Sequence, residues 1–144
     1  MIKLYKIFVF SFIPLLIGGL IYIGFRENSL LMFRWFEALN IINLIELYRN
    51  YVNNISLPEY VIYTLPNGLW VFAFLMYIHI TIISKIRILL LISCIIVSLS
   101  FEFLQIFNII PGTFCWSDFL TIAIFIIAYF LLTKGEKIYE TSQI

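Results

Sequence analysis

The sequence predicts an all-α integral membrane protein with four transmembrane helices and a long extracytoplasmic loop that contains short amphipathic helices. Of the 144 residues, 63% are hydrophobic and only 12% are charged, and the mean hydropathy is +1.06. Soluble proteins carry about 25% charged residues. Four hydrophobic segments are also long enough to cross a hydrocarbon core of ~30 Å, which takes about 20 residues at a rise of 1.5 Å per residue.

The predicted transmembrane helices span about residues 7–25, 65–84, 87–108 and 117–133 of a single domain that covers residues 1–144. Two lysines precede the first helix, as they would precede the apolar segment of a signal peptide. Its apolar run is longer than such segments usually are, however, and no A-x-A-like cleavage site follows it. We therefore predict that the first helix is retained in the membrane, with a cleaved signal peptide as the alternative.

The loop of residues 26–64 is predicted to contain two short amphipathic helices. Its polar residues recur at every third position, namely Arg34, Glu37, Asn40, Asn43, Glu46 and Arg49. A period of three drifts by 60° per step around an α-helix, so one straight helix would have no apolar face. A break near residues 40–42 gives each half an apolar face. Such helices would lie on the membrane surface, cap the bundle, or form a lid over a polar site.

The distribution of basic residues predicts that both termini are cytoplasmic. Six basic residues lie on one side of the predicted helices, at Lys3, Lys6, Lys85, Arg87, Lys134 and Lys137, whereas residues 108–117 contain none. The long loop carries basic residues too, but they are balanced by acidic ones: Arg26, Arg34 and Arg49 against Glu27, Glu37, Glu46 and Glu59. Cytoplasmic loops carry an excess of such residues. The long loop would then lie outside, and Trp70 and Trp116 would share the outer headgroup level.

Composition and motifs exclude several classes of function. A net charge of +1 without a basic cluster gives no surface for nucleic acid. Cys94 and Cys115 are predicted to lie at different depths, so they do not form a disulfide, and neither has the spacing of a metal ligand. No serine-histidine-acid set, H-E-x-x-H, C-x-x-C or glycine-rich phosphate loop is present. We therefore predict no metal and no cofactor.

A polar stripe on the third predicted helix is the strongest indication of function. At 100° per residue, four side chains fall within about 80° of one another on an otherwise apolar helix, and they are Cys94, Ser98, Glu102 and Gln105. A charged, unpaired carboxylate at this depth costs several kcal/mol, so Glu102 is expected to face a pocket, a ligand or the protein interior. The alternative is that Glu102 and Gln105 only bond neighbouring helices.

Asp118 is expected near the start of the fourth helix, where it or Ser117 could cap free backbone N–H groups. It could instead join Glu102, Gln105, Ser98 and Thr113 around one polar pocket, where two nearby carboxylates favour a shared proton or a bound cation.

The single histidine is not expected to belong to this pocket. His79 would lie ~20 Å below the outer surface and Glu102 at most ~9 Å, by the helical rise. We therefore predict a structural role for His79.

The run Phe101–Gln105, followed by Ile110–Gly112 and Ser117–Leu120, resembles the core of VanZ-like membrane proteins. In that family an E-x-x-Q motif ends one helix and a P-G-R turn leads to an aspartate that opens the next. The stretch Leu65–Trp70 is similar to the beginning of a membrane helix in short members. Thr113 stands where the family usually places arginine, which removes the natural counter-ion of the two carboxylates.

Ile122 and Ala123 stand near the positions where the family has Asn and Gly. The resemblance implies a protein of the bacterial cytoplasmic membrane and cell envelope, some relatives of which are associated with glycopeptide antibiotic resistance. Our first hypothesis is an outward-facing pocket that binds a polar or lipid-linked envelope component. The second is a non-catalytic subunit whose Glu102 pairs with a cationic residue of a partner membrane protein. The third is an intramembrane enzyme that uses Glu102 and Asp118 as an acid pair.

Overall fold

The computed structural model describes residues 2–28, 31–107, 109 and 114–134, and these residues form helices and no strand. In chain order the helices are α1 (Ile2–Phe25), α2 (Leu31–Ala38), α3 (Ile42–Val52), α4 (Glu59–Tyr63), α5 (Leu65–Thr81), α6 (Ile86–Ile106) and α7 (Trp116–Thr133). Only Thr64 separates α4 from α5. The all-helical structure of the described residues confirms the all-α part of the prediction.

Four helical spans are long and apolar enough to cross a membrane, as predicted: α1, the continuous span Glu59–Thr81, α6 and α7. α1 begins at Ile2 rather than near residue 7, because lysines have good helix propensity and continue the helix toward the N-terminus. α5 ends at Thr81 rather than near residue 84, because Ile82 adopts an extended backbone conformation.

One π-helical turn interrupts α1 at Phe8–Phe12, just before Pro14. Proline has no backbone N–H, and its ring clashes with the carbonyl four residues earlier in a regular α-helix. Here that carbonyl belongs to Phe10, inside the π-helical turn. The wider turn therefore accommodates the proline within a span that stays helical throughout.

The core lies along α5, which packs against α1, α6 and α7. Its buried residues are Val71, Phe72, Leu75 and Met76 from α5, with Ile122 and Tyr129 from α7. Leu75 is completely buried. Gly68 allows the close approach of α5 to α7, because a Cβ atom there would collide with the Phe125 ring and lie 2.7 Å from Thr121 Cγ2.

The long loop contains the two predicted short helices, and the break between them falls at Asn40. Asn40 has a φ of 56°, in the left-handed region that asparagine tolerates better than most residues. The Ile41 N–H donates to the Phe36 carbonyl at 3.0 Å, and the Asn40 N–H donates to the Glu37 carbonyl at 3.0 Å. These two bonds form a Schellman motif, which terminates α2.

α3 is fastened to the end of α1. Arg49 Nη1 donates to the Ile23 carbonyl at 2.7 Å and to the Arg26 carbonyl at 2.8 Å, and its guanidinium lies over the Phe33 ring. Tyr48 donates its hydroxyl hydrogen to the Leu20 carbonyl at 3.2 Å, and burial raises the pKa of this phenol. α3 thus caps the last carbonyls of α1.

The opposite faces of α2 and α3 expose large apolar side chains, among them Trp35, Leu39, Leu44, Leu47 and Tyr51. This arrangement fits helices that lie at a membrane surface.

Replacing Gly68 by alanine is expected to destabilise the protein by about 1–3 kcal/mol, because the added methyl group overpacks the α5–α7 contact. Gly19→Ala is the matched control, since a Cβ atom at Gly19 meets nothing within 4 Å and alanine favours the helix by up to about 1 kcal/mol. Thermal unfolding of the purified protein in detergent measures both. Equal midpoints for the two variants would contradict the close contact.

Replacing Arg49 by alanine is expected to loosen the long loop by about 1–3 kcal/mol, because two charge-assisted hydrogen bonds to the end of α1 are lost. The readout is the rate of limited proteolysis within residues 26–64, which should rise. Arg34→Ala, which removes an exposed arginine from the same loop, should change that rate little. If both variants are cleaved at the wild-type rate, Arg49 does not hold the loop.

Candidate functional site

A pocket of about 1310 Å³ lies at the end of the bundle where α1 and α6 end and α5 and α7 begin. Its walls come from these four helices and from α4. The chain passes this end of the bundle several times, which brings together residues that lie far apart in the sequence. The pocket therefore depends on how the helices pack rather than on any single segment.

The structure brings most of the predicted site residues into this pocket. Ser98, Glu102, Gln105 and Asp118 all line it, as does Cys94. Thr113, the remaining predicted residue, lies outside the described residues. The polar stripe of α6 therefore faces the beginning of α7.

Three oxygen atoms in the pocket are buried and have no hydrogen-bond partner among the described residues: Glu102 Oε2, Gln105 Oε1 and Asp118 Oδ1. We call them the orphaned oxygens. The Glu102 side chain is only 5% exposed. Folded proteins rarely leave buried polar atoms unpaired, because each costs about 1–3 kcal/mol. One other described side-chain atom shares this state, Ser11 Oγ, within the π-helical turn of α1.

The serine and threonine hydroxyl groups of the pocket, in contrast, form hydrogen bonds. Ser98 donates to the Ile95 carbonyl of its own helix at 2.9 Å. The Ser117 Oγ atom lies 3.3 Å from Thr64 Oγ1 and 2.9 Å from Cys115 Sγ. The Thr64–Ser117 pair joins the start of α5 to the start of α7. These bonds close the polar end of the pocket.

Neither Ser117 nor Asp118 caps the start of α7, in contrast to one of the two predictions for these residues. The N-cap of α7 is Cys115, and no side-chain cap bond forms there. The backbone N–H of Asp118 donates to the Cys115 carbonyl instead. Asp118 lies in the first turn, where its charge interacts favourably with the helix dipole. Its Oδ1 atom remains one of the orphaned oxygens.

Arg26 is a pocket residue that the sequence did not identify. It follows the last residue of α1 and is half-buried, with its guanidinium 5.1 Å from the centre of the Tyr22 ring and 4.9 Å from that of Tyr63. These are cation–π distances. The sequence indicated Arg26 only as a loop charge, since nothing local shows that α4 returns to it. Arg26 places a cation in the same pocket as Glu102 and Asp118.

The long loop contributes to the pocket through its last segment. Glu59, Tyr60 and Tyr63 of α4 line the pocket, whereas none of its lining residues comes from α2 or α3. Because α3 is fastened to the end of α1, the two amphipathic helices do not cover the polar stripe. The lid hypothesis therefore does not apply to them, and α4 forms the loop-derived wall.

His79 lies farther along α5 and is not a lining residue. Its Nδ1 atom lies 3.1 Å from the Tyr129 hydroxyl, and the two rings meet edge to face. This contact joins α5 to α7 and fits the structural role predicted for the single histidine.

The chemistry of the pocket favours binding. Cysteine and serine side chains in the pocket are potential nucleophiles, but the single histidine of the chain is bonded to Tyr129 outside the pocket. Within the described residues, no three His, Cys, Asp or Glu side chains converge as a metal site would require. The carboxylates, amide and guanidinium instead offer hydrogen bonds and charge.

Comparison with protein-family models, curated proteins and solved structures finds no match to this chain. The resemblance to VanZ-like proteins therefore stays a hypothesis that rests on the E-x-x-Q and P-G motifs and the following aspartate.

Glu102→Met is expected to stabilise the purified protein by about 1–3 kcal/mol, because it replaces a buried carboxylate that has an orphaned oxygen by an apolar side chain of similar size. His79→Phe should destabilise it by a similar amount, because the buried Tyr129 hydroxyl loses a partner. Thermal unfolding in detergent measures the change in stability of both variants. A destabilising Glu102→Met would show that this side chain serves the packing of the bundle.

Proposed function

We propose that this chain is a VanZ-like protein of the bacterial cytoplasmic membrane that binds a polar or lipid-linked component of the cell envelope. The ligand occupies the pocket between α1, α5, α6 and α7, and its binding alters susceptibility to glycopeptide antibiotics. One observation carries the proposal. Three orphaned oxygens from two helices converge on one pocket, and one of them belongs to a carboxylate that is 95% buried.

The distribution of basic residues supports a pocket that opens to the outside. Lys85 and Arg87 lie at the turn between α5 and α6, and Lys134 follows α7, so all three lie at the end of the bundle away from the pocket. Basic residues of short loops stay in the cytoplasm. Both termini are then cytoplasmic, and the pocket faces the side on which envelope components are assembled.

The arrangement of the VanZ-like motif supports the family proposal. Glu102 and Gln105 of the E-x-x-Q motif and Asp118 of the following helix line one pocket, although 12 residues lie between Gln105 and Asp118 in the sequence. Arg26 lies in this pocket and offers a cation that Thr113 cannot supply. A motif whose residues converge on a single pocket is more consistent with binding than with helix packing alone.

The burial of Glu102 also bears on the partner-subunit alternative. A carboxylate that pairs with a cationic residue of another protein has to reach the surface of its own chain. Glu102 is only 5% exposed and lines the pocket, whereas its neighbours Phe101 and Phe103 are 55% and 49% exposed. The side of α6 that a partner would contact is therefore apolar. This geometry favours the ligand pocket over the subunit role.

Expression in a glycopeptide-sensitive Gram-positive host is expected to raise the minimum inhibitory concentration of a glycopeptide. Glu102→Gln should return it to the value of the empty vector, because the variant keeps the shape of the side chain and removes its carboxyl group. Membrane levels of each variant are matched by quantitative blotting. Glu37→Gln is the control, since it makes the same change at an exposed position of the long loop.

Each outcome of this experiment is informative. Protection by the wild type and by Glu37→Gln but not by Glu102→Gln supports both the envelope function and the pocket. Equal protection by all three proteins contradicts the role of Glu102. No protection by the wild type contradicts the envelope function, and co-purification then tests the partner-subunit alternative.

A further inference from the structure

The orphaned oxygens define what the pocket can hold at its polar end. All three are hydrogen-bond acceptors, two of them on carboxylates. A primary ammonium group has three N–H donors and one positive charge, so it can satisfy all three oxygens and reduce the repulsion between the carboxylates. Glu102, which lies about 6 Å inside the end of α6 by the helical rise, is almost fully buried.

A second group of opposite charge lies in the same pocket. Arg26 is held over the rings of Tyr22 and Tyr63 and is only half-buried, so it lies nearer to solvent than Glu102. Cation–π contacts engage the faces of these aromatic rings, and the N–H donors of a guanidinium lie in its own plane, suited to phosphate or carboxylate. The pocket thus offers acceptors within and an anion-binding group nearer its mouth.

One side of the pocket is apolar and open toward the region that lipid would occupy. Phe74 of α5 and Val97 and Phe101 of α6 line the pocket and are 54%, 53% and 55% exposed. Only 6% of the apolar 18-residue stretch of α6 is buried within the protein, against 44% for the span Glu59–Thr81. A hydrocarbon chain can therefore lie along this side while its polar group occupies the pocket.

From these three features we infer that the ligand is an amphiphile that carries a primary ammonium group and a neighbouring phosphate, of the ethanolamine phospholipid type. The ammonium group binds Glu102, Gln105 and Asp118, the phosphate binds Arg26, and the acyl chains lie against Phe74, Val97 and Phe101. This inference rests on the proposed function, and it names the chemical class of the envelope component that the pocket binds.

The proposed site distinguishes between ligands that differ by a single chemical group. A choline phospholipid has the same charges as an ethanolamine phospholipid, but its quaternary nitrogen has no N–H donor for the orphaned oxygens. A phosphatidylglycerol has no cationic group at all. Free phosphoethanolamine has both polar groups but lacks the chains that the apolar side contacts.

The experiment uses the full chain in detergent micelles, titrated with phosphatidylethanolamine, phosphatidylcholine or phosphatidylglycerol of identical acyl chains. Native mass spectrometry measures the bound fraction. We expect phosphatidylethanolamine to bind at least tenfold more tightly than phosphatidylcholine, a difference of about 1.4 kcal/mol. Phosphatidylglycerol should bind most weakly, because the carboxylates repel it. Free phosphoethanolamine at equal concentration should displace little lipid.

Two variants separate the two polar contacts. Glu102→Gln should weaken the binding of phosphatidylethanolamine about tenfold. It should then bind no more tightly than phosphatidylcholine, because the carboxyl group that selects the ammonium group is gone. Arg26→Gln should weaken the binding of both lipids and leave the ratio of their affinities unchanged, because both lipids carry the phosphate. Glu37→Gln and Arg34→Gln repeat these changes at exposed positions of the long loop and should match the wild type.

Equal binding of phosphatidylethanolamine and phosphatidylcholine to the wild type overturns the inference without recourse to any variant. Full displacement of the lipid by free phosphoethanolamine overturns the inference that acyl chains contribute to binding. Displacement by Mg²⁺ alone shows a cation site instead of an amine site. If the lipids bind equally while Glu102→Gln still abolishes glycopeptide protection, the proposed function stands without this ligand. If phosphatidylethanolamine is preferred but Glu102→Gln protects fully, the ligand stands and the role of Glu102 in glycopeptide protection does not. If phosphatidylethanolamine is preferred but the wild type gives no protection, the ligand stands and the proposed envelope function does not.

Discussion

The close packing of α5 against its neighbours is the constraint on which the rest of the structure depends. Gly68 brings the first turns of α5 against Thr121 and Phe125 of α7, and Gly18 brings α1 within reach of Trp70. Below these contacts the core is continuous around Leu75. Because α5 is held on both sides, α6 is left as the least buried span, and the pocket lies between its polar stripe and the beginnings of α5 and α7.

The long loop contributes to the pocket by holding the end of α1. Arg49 donates to the carbonyl of Arg26, so α3 fixes the backbone of the residue whose side chain lies over Tyr22 and Tyr63. The loop then returns along α4, which supplies Tyr63 itself. A segment that looks like a surface cover in the sequence therefore positions the one arginine of the pocket. Its effect is to place positive charge in the same pocket as two carboxylates that lack a counter-ion within their own motif.

The polar end of the pocket opposes the stability of the bundle. Burial of an oxygen atom without a partner costs free energy, and this cost is high in a low-dielectric environment. Ser98, Ser117 and Thr64 avoid it through local or interhelical bonds, whereas Glu102, Gln105 and Asp118 keep orphaned oxygens. This contrast separates side chains that bond to neighbouring groups from side chains whose buried oxygens have no partner among the described residues.

The sequence by itself determined the helical class, the four apolar spans and the break at Asn40. Each follows from local physics: segment length against the hydrocarbon core, helical periodicity, and the tolerance of asparagine for a left-handed conformation. The stripe of Ser98, Glu102 and Gln105 was likewise visible, because its spacing lies within one helix.

Only the tertiary structure decided which residues from other helices meet that stripe. Arg26 and Tyr63 lie at opposite ends of the long loop, and nothing in their local sequence indicates that they meet in the pocket that Glu102 also lines. The sequence likewise did not predict the N-cap of α7 at Cys115 or the packing of α3 against α1. Contacts between distant segments depend on how whole helices pack, and that packing is set by the shapes of many side chains at once rather than by any local pattern.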